Sequence, residues 1–139
     1  MTNAIVKADQ NVNAALAEKG VFTTVTGETL DDRLKVFNAI NSSTPLADAL
    51  GEKLSIVDIV VQKVEVADAE TGEVEEAPRV ILITKEGKAL SATSKGMLSA
   101  VKNIISFLGA PSTWEKPLTF VATEKRGRNG YRFMTLALA

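Results

Sequence analysis

Basic and aromatic side chains are concentrated between residues 114 and 133 of this 139-residue sequence. The basic members are Lys116, Lys125, Arg126, Arg128 and Arg132. The aromatic members are Trp114, Phe120, Tyr131 and Phe133, and the opposing carboxylates are Glu115 and Glu124. Lysine and arginine can replace the counterions along a phosphate backbone, and flat rings can stack on unpaired bases. The stretch therefore predicts a surface that binds a single strand of nucleic acid without reading its base sequence.

The same stretch also fits an ordinary hairpin, and this interpretation stays open. Hairpin tips such as KRGRNG at residues 125–130 are polar because they are solvated, and Phe120 is typical of a core residue. Alternation in the last strand assigns three residues to the core, Met134, Leu136 and Leu138. It turns three others outward, Tyr131, Phe133 and Thr135. Trp114 is equally consistent with an exposed ring on the surface and with a buried ring that fills one end of the barrel under the helix.

Two lysines in an earlier turn extend the predicted surface. Lys85 and Lys88 flank the sequence Lys-Glu-Gly-Lys between two predicted strands, although such a turn is also ordinary solvated surface. The predicted nucleic-acid-binding residues are therefore Lys85, Lys88, Trp114, Lys116, Lys125, Arg126, Arg128, Tyr131, Arg132 and Phe133.

The composition argues against catalysis and against a zinc or iron site. The sequence contains no histidine and no cysteine, which removes the most common general base, the thiol nucleophile and most zinc ligands. An acidic run at residues 68–76 lacks the spacing of a calcium-binding EF-hand loop, so it is interpreted as a solvated hairpin tip. We therefore predict no catalytic residue, no metal and no cofactor, and we expect that the chain is not an enzyme.

The net charge of −1 conceals an uneven distribution along the chain. Residues 1–76 hold 6 basic and 14 acidic residues, giving −8, whereas residues 77–139 hold 10 and 3, giving +7. A nearly neutral chain can therefore present a basic surface to a polyanion. No apolar run approaches the length of a membrane span, and the N-terminal residues lack the pattern of a signal peptide. We expect a cytoplasmic protein with no membrane partner.

Hydrophobic periodicity predicts the elements that must position these residues. A helix is predicted at residues 94–111, with Met97, Val101, Ile104, Ile105 and Leu108 on one face. Strands are predicted before it at residues 54–66, 79–84 and 89–93, and after it at residues 118–124 and 131–138.

The first of these strands is long, and its apolar alternation slips. Leu54 and Ile56 fall on one face, whereas Val57, Ile59 and Val61 fall on the other. This slip predicts a bulge or a sharp bend near residues 58–62, a device that lets one strand curl around a barrel.

Shorter helices precede the strands. Thr29 and Asp32 form a start resembling a capping box for a helix at residues 29–41. One face of this helix is marked by Leu30, Leu34, Phe37 and Ile40. A second helix is predicted at residues 45–50, and the two are expected to cover one opening of the sheet. Residues 1–28, with a short helix at residues 11–19, are interpreted as an N-terminal arm.

A bent first strand and a helix between the third and fourth strands are typical of the OB-fold, a five-stranded barrel. The predicted fold class is mainly β with flanking helices: an OB-fold barrel in the order β-β-β-α-β-β, preceded by one or two short N-terminal helices. Residues 29–139 then form a single OB-like domain.

Three stretches together resemble the small phage-type single-stranded-DNA-binding proteins, and they cover most of residues 35–138. They are KVFNAINSSTPLADALGEKLSIVDIVVQKVEV, ADAETGEVEEAPRVILIT and SFLGAPSTWEKPLTFVATEKRGRNGYRFMTLAL. The resemblance implies a replication accessory protein that coats transient single strands in the cytoplasm of an infected bacterial cell. It also implies replication proteins as further partners.

Two functions of different classes remain open at this point. The leading hypothesis is an OB-fold protein that binds single-stranded DNA with little sequence preference during phage DNA replication or recombination. The alternative is a protein-interaction or virion structural module whose acidic and basic portions meet between subunits. The oligomeric state, monomer or dimer, is left open.

Overall fold

The computed structural model describes residues 16, 20–25, 29–68, 70–127 and 132–139 of the chain, and of Ser112 and Arg132 it describes the backbone. Within these ranges the strands and helices follow in the order β1 (Val21–Thr23), α1 (Leu30–Ser42), β2 (Thr44–Pro45), β3 (Lys53–Ala67), β4 (Val74–Thr84), β5 (Ala89–Thr93), α2 (Lys95–Leu108), β6 (Leu118–Arg126) and β7 (Arg132–Leu138). Single 3₁₀ turns occur at Leu46–Ala49 and Pro111–Thr113. The helix predicted at residues 11–19 lies almost wholly outside the described residues.

Both long helices begin at a side-chain cap. The Thr29 hydroxyl accepts a hydrogen bond from the Asp32 backbone N–H at 3.2 Å, and Ser94 caps Met97 in the same way. At its C-terminus α2 ends at Gly109, whose φ of +83° is the left-handed conformation that glycine adopts without strain. The helices predicted at residues 29–41 and 94–111 are therefore confirmed, with their ends displaced by one to three residues. The helix predicted at residues 45–50 is instead the single 3₁₀ turn at Leu46–Ala49.

The strands form one curled sheet in the order β2-β5-β4-β3-β6-β7. Neighbouring strands are antiparallel, apart from the short parallel pair of β2 with β5. On one edge β3 pairs with β6 at residues 53–56 and then with β1 at residues 60–62. Because β3 pairs with β4 along its other edge, it links the β4–β5 side of the sheet to the β6–β7 side. β1, which belongs to the predicted arm, is thus a strand of the sheet.

The predicted irregularity in β3 is present as a register shift between Ile56 and Asp58. The extra residue restores the alternation, so Ile59 and Val61 join Ile56 in the same core. Val57 packs on the opposite face of the sheet. The prediction that Ile59 and Val61 face away from Ile56 was therefore wrong, because a bulge reverses the face of every residue that follows it.

The main core lies between the inner face of the sheet and α2. Its fully buried side chains include Ile56, Ile59, Leu82, Met97 and Val101. The predicted apolar stripe of α2 packs here with one exception, since Leu108 is exposed at the end of the helix. Leu138 was also expected in the core and is instead exposed near the end of β7.

α1 covers the outer face of the sheet where that face is formed by β3, β4 and β5. Ala39 of α1 packs against Val60, Ile81 and Ile83 in a second, smaller apolar cluster. Leu30, Leu34 and Phe37 lie on the solvent side, where Phe37 is 60% exposed. The face marked by these three residues is thus not the packing face, and α1 lies flat on the sheet rather than over an opening.

Two polar contacts hold α1 on the sheet. The Lys35 ammonium forms an ion pair of 2.5 Å with the buried carboxylate of Asp58, which also accepts a hydrogen bond from Thr24. At the other end of the helix, the Arg79 guanidinium donates to the Ile40 carbonyl at 2.8 Å and to the Ser43 hydroxyl at 2.7 Å. These bonds add to the small apolar contact that α1 makes with the sheet through Ala39.

The prediction of a mainly β fold with flanking helices is confirmed. The second predicted strand is longer than expected, because β4 pairs with β3 from Val74 onward and includes Pro78. Among the described residues β5 and β7 do not pair, and α2 packs against β4 and β7. None of the described helices has the length and apolar character needed to cross a membrane.

Candidate nucleic-acid interface

The hairpin of β6 and β7 places a cation beside an aromatic ring. Its ladder runs from Phe120 opposite Leu138 to Arg126 opposite Arg132, which sets Lys125 directly across from Phe133. Directly opposed residues in an antiparallel pair have Cβ atoms about 5 Å apart. Lys125 is exposed, and Phe133 is 38% exposed. A phosphate and its base can therefore be contacted at one place on this hairpin.

The ring of Phe133 is supported from behind by the start of α2. A Cβ atom added to Gly96 would lie 2.5 Å from the Met134 carbonyl oxygen and 3.4 Å from the Phe133 ring. Only glycine allows the helix to approach β7 this closely. The contact restricts the positions that the ring can take, so a stacking surface here is partly preorganised.

The other predicted residues of this hairpin are described only in part. Arg126 is exposed and its backbone pairs with that of Arg132. Arg128 and Tyr131 lie outside the described residues, as does the side chain of Arg132. The prediction that these three contact nucleic acid stays a prediction.

The turn between β4 and β5 lies beside the first half of β3. Lys85 and Lys88 are exposed in this turn, and the Lys85 backbone N–H donates to the Ser55 carbonyl at 2.8 Å. Two residues before Ser55, the exposed Lys53 pairs with Val121 of β6. Lys125 follows Val121 by four residues, about 13 Å along the strand. Lys53 therefore lies between the turn and the hairpin. It was not predicted as a binding residue, although its position directly before an apolar strand could have identified it.

Trp114 and Lys116 lie away from this group. The Trp114 indole N–H donates to the Leu108 carbonyl at 2.9 Å, and its ring lies 6.2 Å from the ring of the buried Phe120. Lys116 is exposed in the loop before β6, nine residues and about 30 Å along the chain from Lys125. Trp114 therefore packs beside the first part of β6, at the opposite end of the hairpin from Lys125, and Lys116 precedes the same strand by two residues.

Two other exposed aromatic residues were not predicted as site residues. Phe107 in α2 is 69% exposed and Phe37 in α1 is 60% exposed. Phe107 falls outside the apolar stripe of α2, and this position in the helical period could have identified it. Phe37 could not be found in this way, because it belongs to a periodic apolar face that the structure leaves in solvent.

The hairpin between β3 and β4 carries the opposite charge. Its carboxylates are Glu65, Asp68, Glu70, Glu73, Glu75 and Glu76, and Glu76 forms an ion pair with Lys63 at 3.0 Å. Backbone N–H groups of Glu70 and Thr71 donate to the Asp68 carboxylate, and these hydrogen bonds lower the pKa of Asp68 below its ordinary value. We name residues 65–76 the acidic arm. Its carboxylates repel phosphate.

Comparisons with known proteins agree with the character of this surface. Residues 15–139 match the family model described as "Phage Single-stranded DNA-binding protein", of the phi29 type. A protein of Bacillus phage GA-1 named "Single-stranded DNA-binding protein" is 26% identical over 102 residues, which cover 69% of this chain and 60% of that relative. The match therefore spans less than two thirds of the relative's length. No solved structure matches the chain.

Proposed function

Because the chain belongs to the phi29-type family of phage single-stranded DNA-binding proteins, we propose that it binds single-stranded DNA with little sequence preference. Its role is to protect and organise that DNA during phage replication or recombination. The structural observation that supports this most directly is the pairing of Lys125 with the partly exposed ring of Phe133 across the β6–β7 hairpin.

Binding of this kind combines two physical terms. Lysine side chains release counterions from the phosphates, which gives affinity that falls as salt rises. A ring stacks on a base of any identity, since every base has a flat face, and so adds affinity without selecting a sequence. Lys53, Lys85 and Lys88 extend the cationic surface from Lys125 along β6 and the β4–β5 turn.

The fold that accompanies this function is an OB-type barrel built from β3 to β7. In its support, β3 pairs with both β4 and β6, β4 pairs with β5, and β6 pairs with β7. Among the described residues β5 and β7 do not pair, so this barrel is open there, and α2 packs against β4 and β7. Residues 29–139 form the OB-like domain, and β1 adds a strand from the segment before it.

The proposal extends to the setting in which the protein acts. It is a binding protein rather than an enzyme, it works in the cytoplasm of the bacterial host, and replication proteins are its further partners. Of the ten residues predicted from sequence, the structure supports Lys85, Lys88, Lys125, Arg126 and Phe133 best, because they are exposed on the hairpin and the adjacent turn. Arg128 and Tyr131 lie outside the described residues, between β6 and Arg132 in sequence, and their part in binding is proposed from sequence alone. Trp114 and Lys116 lie at or before the start of β6.

A second candidate function is assembly through opposite charges. It is favoured by β4, which begins within the acidic arm and ends at Thr84, directly before Lys85. This function predicts oligomers that dissociate as salt rises, together with no retention on single-stranded DNA.

The test is fluorescence anisotropy of a labelled oligonucleotide, as a single strand and as a duplex, over a series of salt concentrations. We expect binding to the single strand, weaker binding to the duplex and an affinity that falls with salt. Lys125→Ala should make the slope of log affinity against log salt shallower by about 0.7, the value for one phosphate contact on a single strand. Lys63→Ala is the matched control, because Lys63 is also exposed but lies next to the acidic arm. Affinity for the single strand that is absent, or that does not change with salt, would falsify the proposal.

A further inference from the structure

A groove of about 590 Å³ lies between α1 and the turn that joins β4 to β5. One wall is the face of α1 that carries Asn38 and Ser42, and the opposite wall is the turn with Lys85 and Lys88. The floor is formed by apolar residues, including Val57, Ile83 and Ala89. Its volume is within the range of pockets that hold small organic ligands.

The charged residues of the groove lie at its sides, and the apolar residues form its floor. Lys85 and Lys88 are exposed at one side, and among the described residues neither forms an ion pair. Asp48 and Glu52 line the groove as well, and their carboxylates repel phosphate from the part of it that they border. Lys35 also borders the groove, but its ammonium is held by Asp58. A phosphate is therefore favoured only at the lysine turn, with the attached base over the apolar floor.

The groove continues past the lysines into a second depression. This depression has a volume of about 260 Å³ and is lined by Lys53 and Ser55 of β3, and also by Glu86 of the turn, whose carboxylate opposes a phosphate on its side. The two cavities share Glu52, Thr84, Lys85, Lys88 and Leu90. Since Lys53 pairs with Val121 of β6, the second depression leads toward the strand that carries Lys125. An extended chain can therefore pass from the β6–β7 hairpin to the groove beside α1.

We propose that this groove holds one nucleotide of the bound single strand, with its base between α1 and the apolar floor and its phosphate at Lys85 and Lys88. The inference rests on the proposed function and adds to it, because it makes α1 a wall of the DNA-binding surface. The side chains of Asn38 and Ser42 offer hydrogen bonds to base edges from that wall. Among the described residues no aromatic side chain lines the groove, so the base is held by aliphatic contact and by the walls rather than by stacking.

A steric substitution tests the groove without changing its charge. Ser42→Trp places an indole in the groove from the exposed end of α1. Asn41→Trp is the matched control, since Asn41 is exposed on the same helix but does not line the groove. The measurement is the affinity for a labelled single-stranded DNA oligonucleotide at fixed salt. We expect affinity about tenfold weaker for Ser42→Trp, an effect of the size expected for one base contact, and wild-type affinity for Asn41→Trp.

A second measurement locates the strand directly. Backbone amide NMR signals of Asn38, Ser42 and Gly87 in the wild-type protein should shift on titration with the unlabelled oligonucleotide. If Ser42→Trp binds as tightly as Asn41→Trp, the groove is not part of the path and the inference is wrong, while the proposed function stands. If thermal melting shows that Ser42→Trp is unfolded, the NMR titration decides, and unshifted groove amides would reject the inference. Absence of binding by the wild-type protein contradicts the proposed function itself.

Discussion

Replacing Phe133 tests the chemistry of the hairpin most directly. Stacking of an aromatic residue on a base is worth about 1 to 3 kcal/mol by alanine substitution. Phe133 is 38% exposed and is backed by Gly96, so only part of its ring is open to a base. We therefore expect Phe133→Ala to lose about 1 kcal/mol, the low end of that range, which weakens binding about fivefold.

The assay is anisotropy of a labelled single-stranded oligonucleotide at one fixed salt concentration. Phe133→Leu keeps most of the apolar volume but lacks the aromatic face, so it should lose nearly as much affinity as Phe133→Ala. Phe37→Ala is the matched control, because Phe37 is 60% exposed on the outer side of α1. Thermal melting of each variant separates a change in binding from a change in folding.

Two results would refute this reasoning. If Phe133→Ala and Phe133→Leu both bind with wild-type affinity, the ring does not stack on DNA. If Phe133→Leu binds like the wild type while Phe133→Ala does not, the side chain acts through packing against Gly96 instead. A loss with Phe37→Ala equal to that with Phe133→Ala would mean that the assay reports any exposed ring rather than this site.

Three further predictions concern the folded state. Lys35→Ala should lower the free energy of unfolding by about 2 kcal/mol in urea, and by more than Asp58→Asn does, because it leaves a buried carboxylate without its cation. Gly96→Ala should cost about 1 to 3 kcal/mol in the same measurement, since its methyl group meets the Met134 carbonyl. The lowered pKa of Asp68 predicts a stability contribution that is present at neutral pH and is lost as pH falls through the folded-state pKa. An NMR titration in which the Asp68 carboxyl protonates at or above its ordinary pKa would contradict this.

Much of the fold could be predicted from residue patterns that are local in sequence. The caps at Thr29 and Ser94 and the glycine at residue 109 determine the helix ends through bonds within a few residues. The position of the bulge in β3 could be predicted within a few residues, because the slip in apolar alternation is visible over a short window. The faces on either side of the bulge were assigned wrongly, because one extra residue reverses all later positions.

The packing face of α1 could not be predicted from its periodicity. Leu30, Leu34, Phe37 and Ile40 form the predicted apolar stripe, yet the first three are exposed. Ile40 packs on the sheet together with Val36 and Ala39. The ion pair of Lys35 with Asp58 joins residues 23 positions apart in the chain, so no local sequence pattern predicts it. Contacts of this range are set by tertiary structure.

In the candidate site, too, local features could be predicted from sequence and contacts between distant residues could not. The basic and aromatic character of this hairpin could be predicted from sequence, but Lys125 was assigned to its tip, whereas β6 continues to Arg126 and pairs Lys125 with Phe133. The contribution of Lys53 depends on the pairing of β3 with β6, which joins residues far apart in the chain. The groove beside α1 depends on where that helix lies, and so it had no counterpart in the sequence.

Opposite charges lie at the two ends of β4. The strand begins at the acidic arm and ends before Lys85, and its ten residue steps span about 33 Å. At physiological ionic strength the screening length is about 8 Å, so a phosphate at Lys85 is shielded from the carboxylates of the arm. At about 0.01 M salt the screening length approaches 30 Å, and the arm then repels the strand that the lysines attract. A plot of log affinity against log salt should consequently flatten at low salt, and an approaching strand should be turned toward the lysine end before it makes contact.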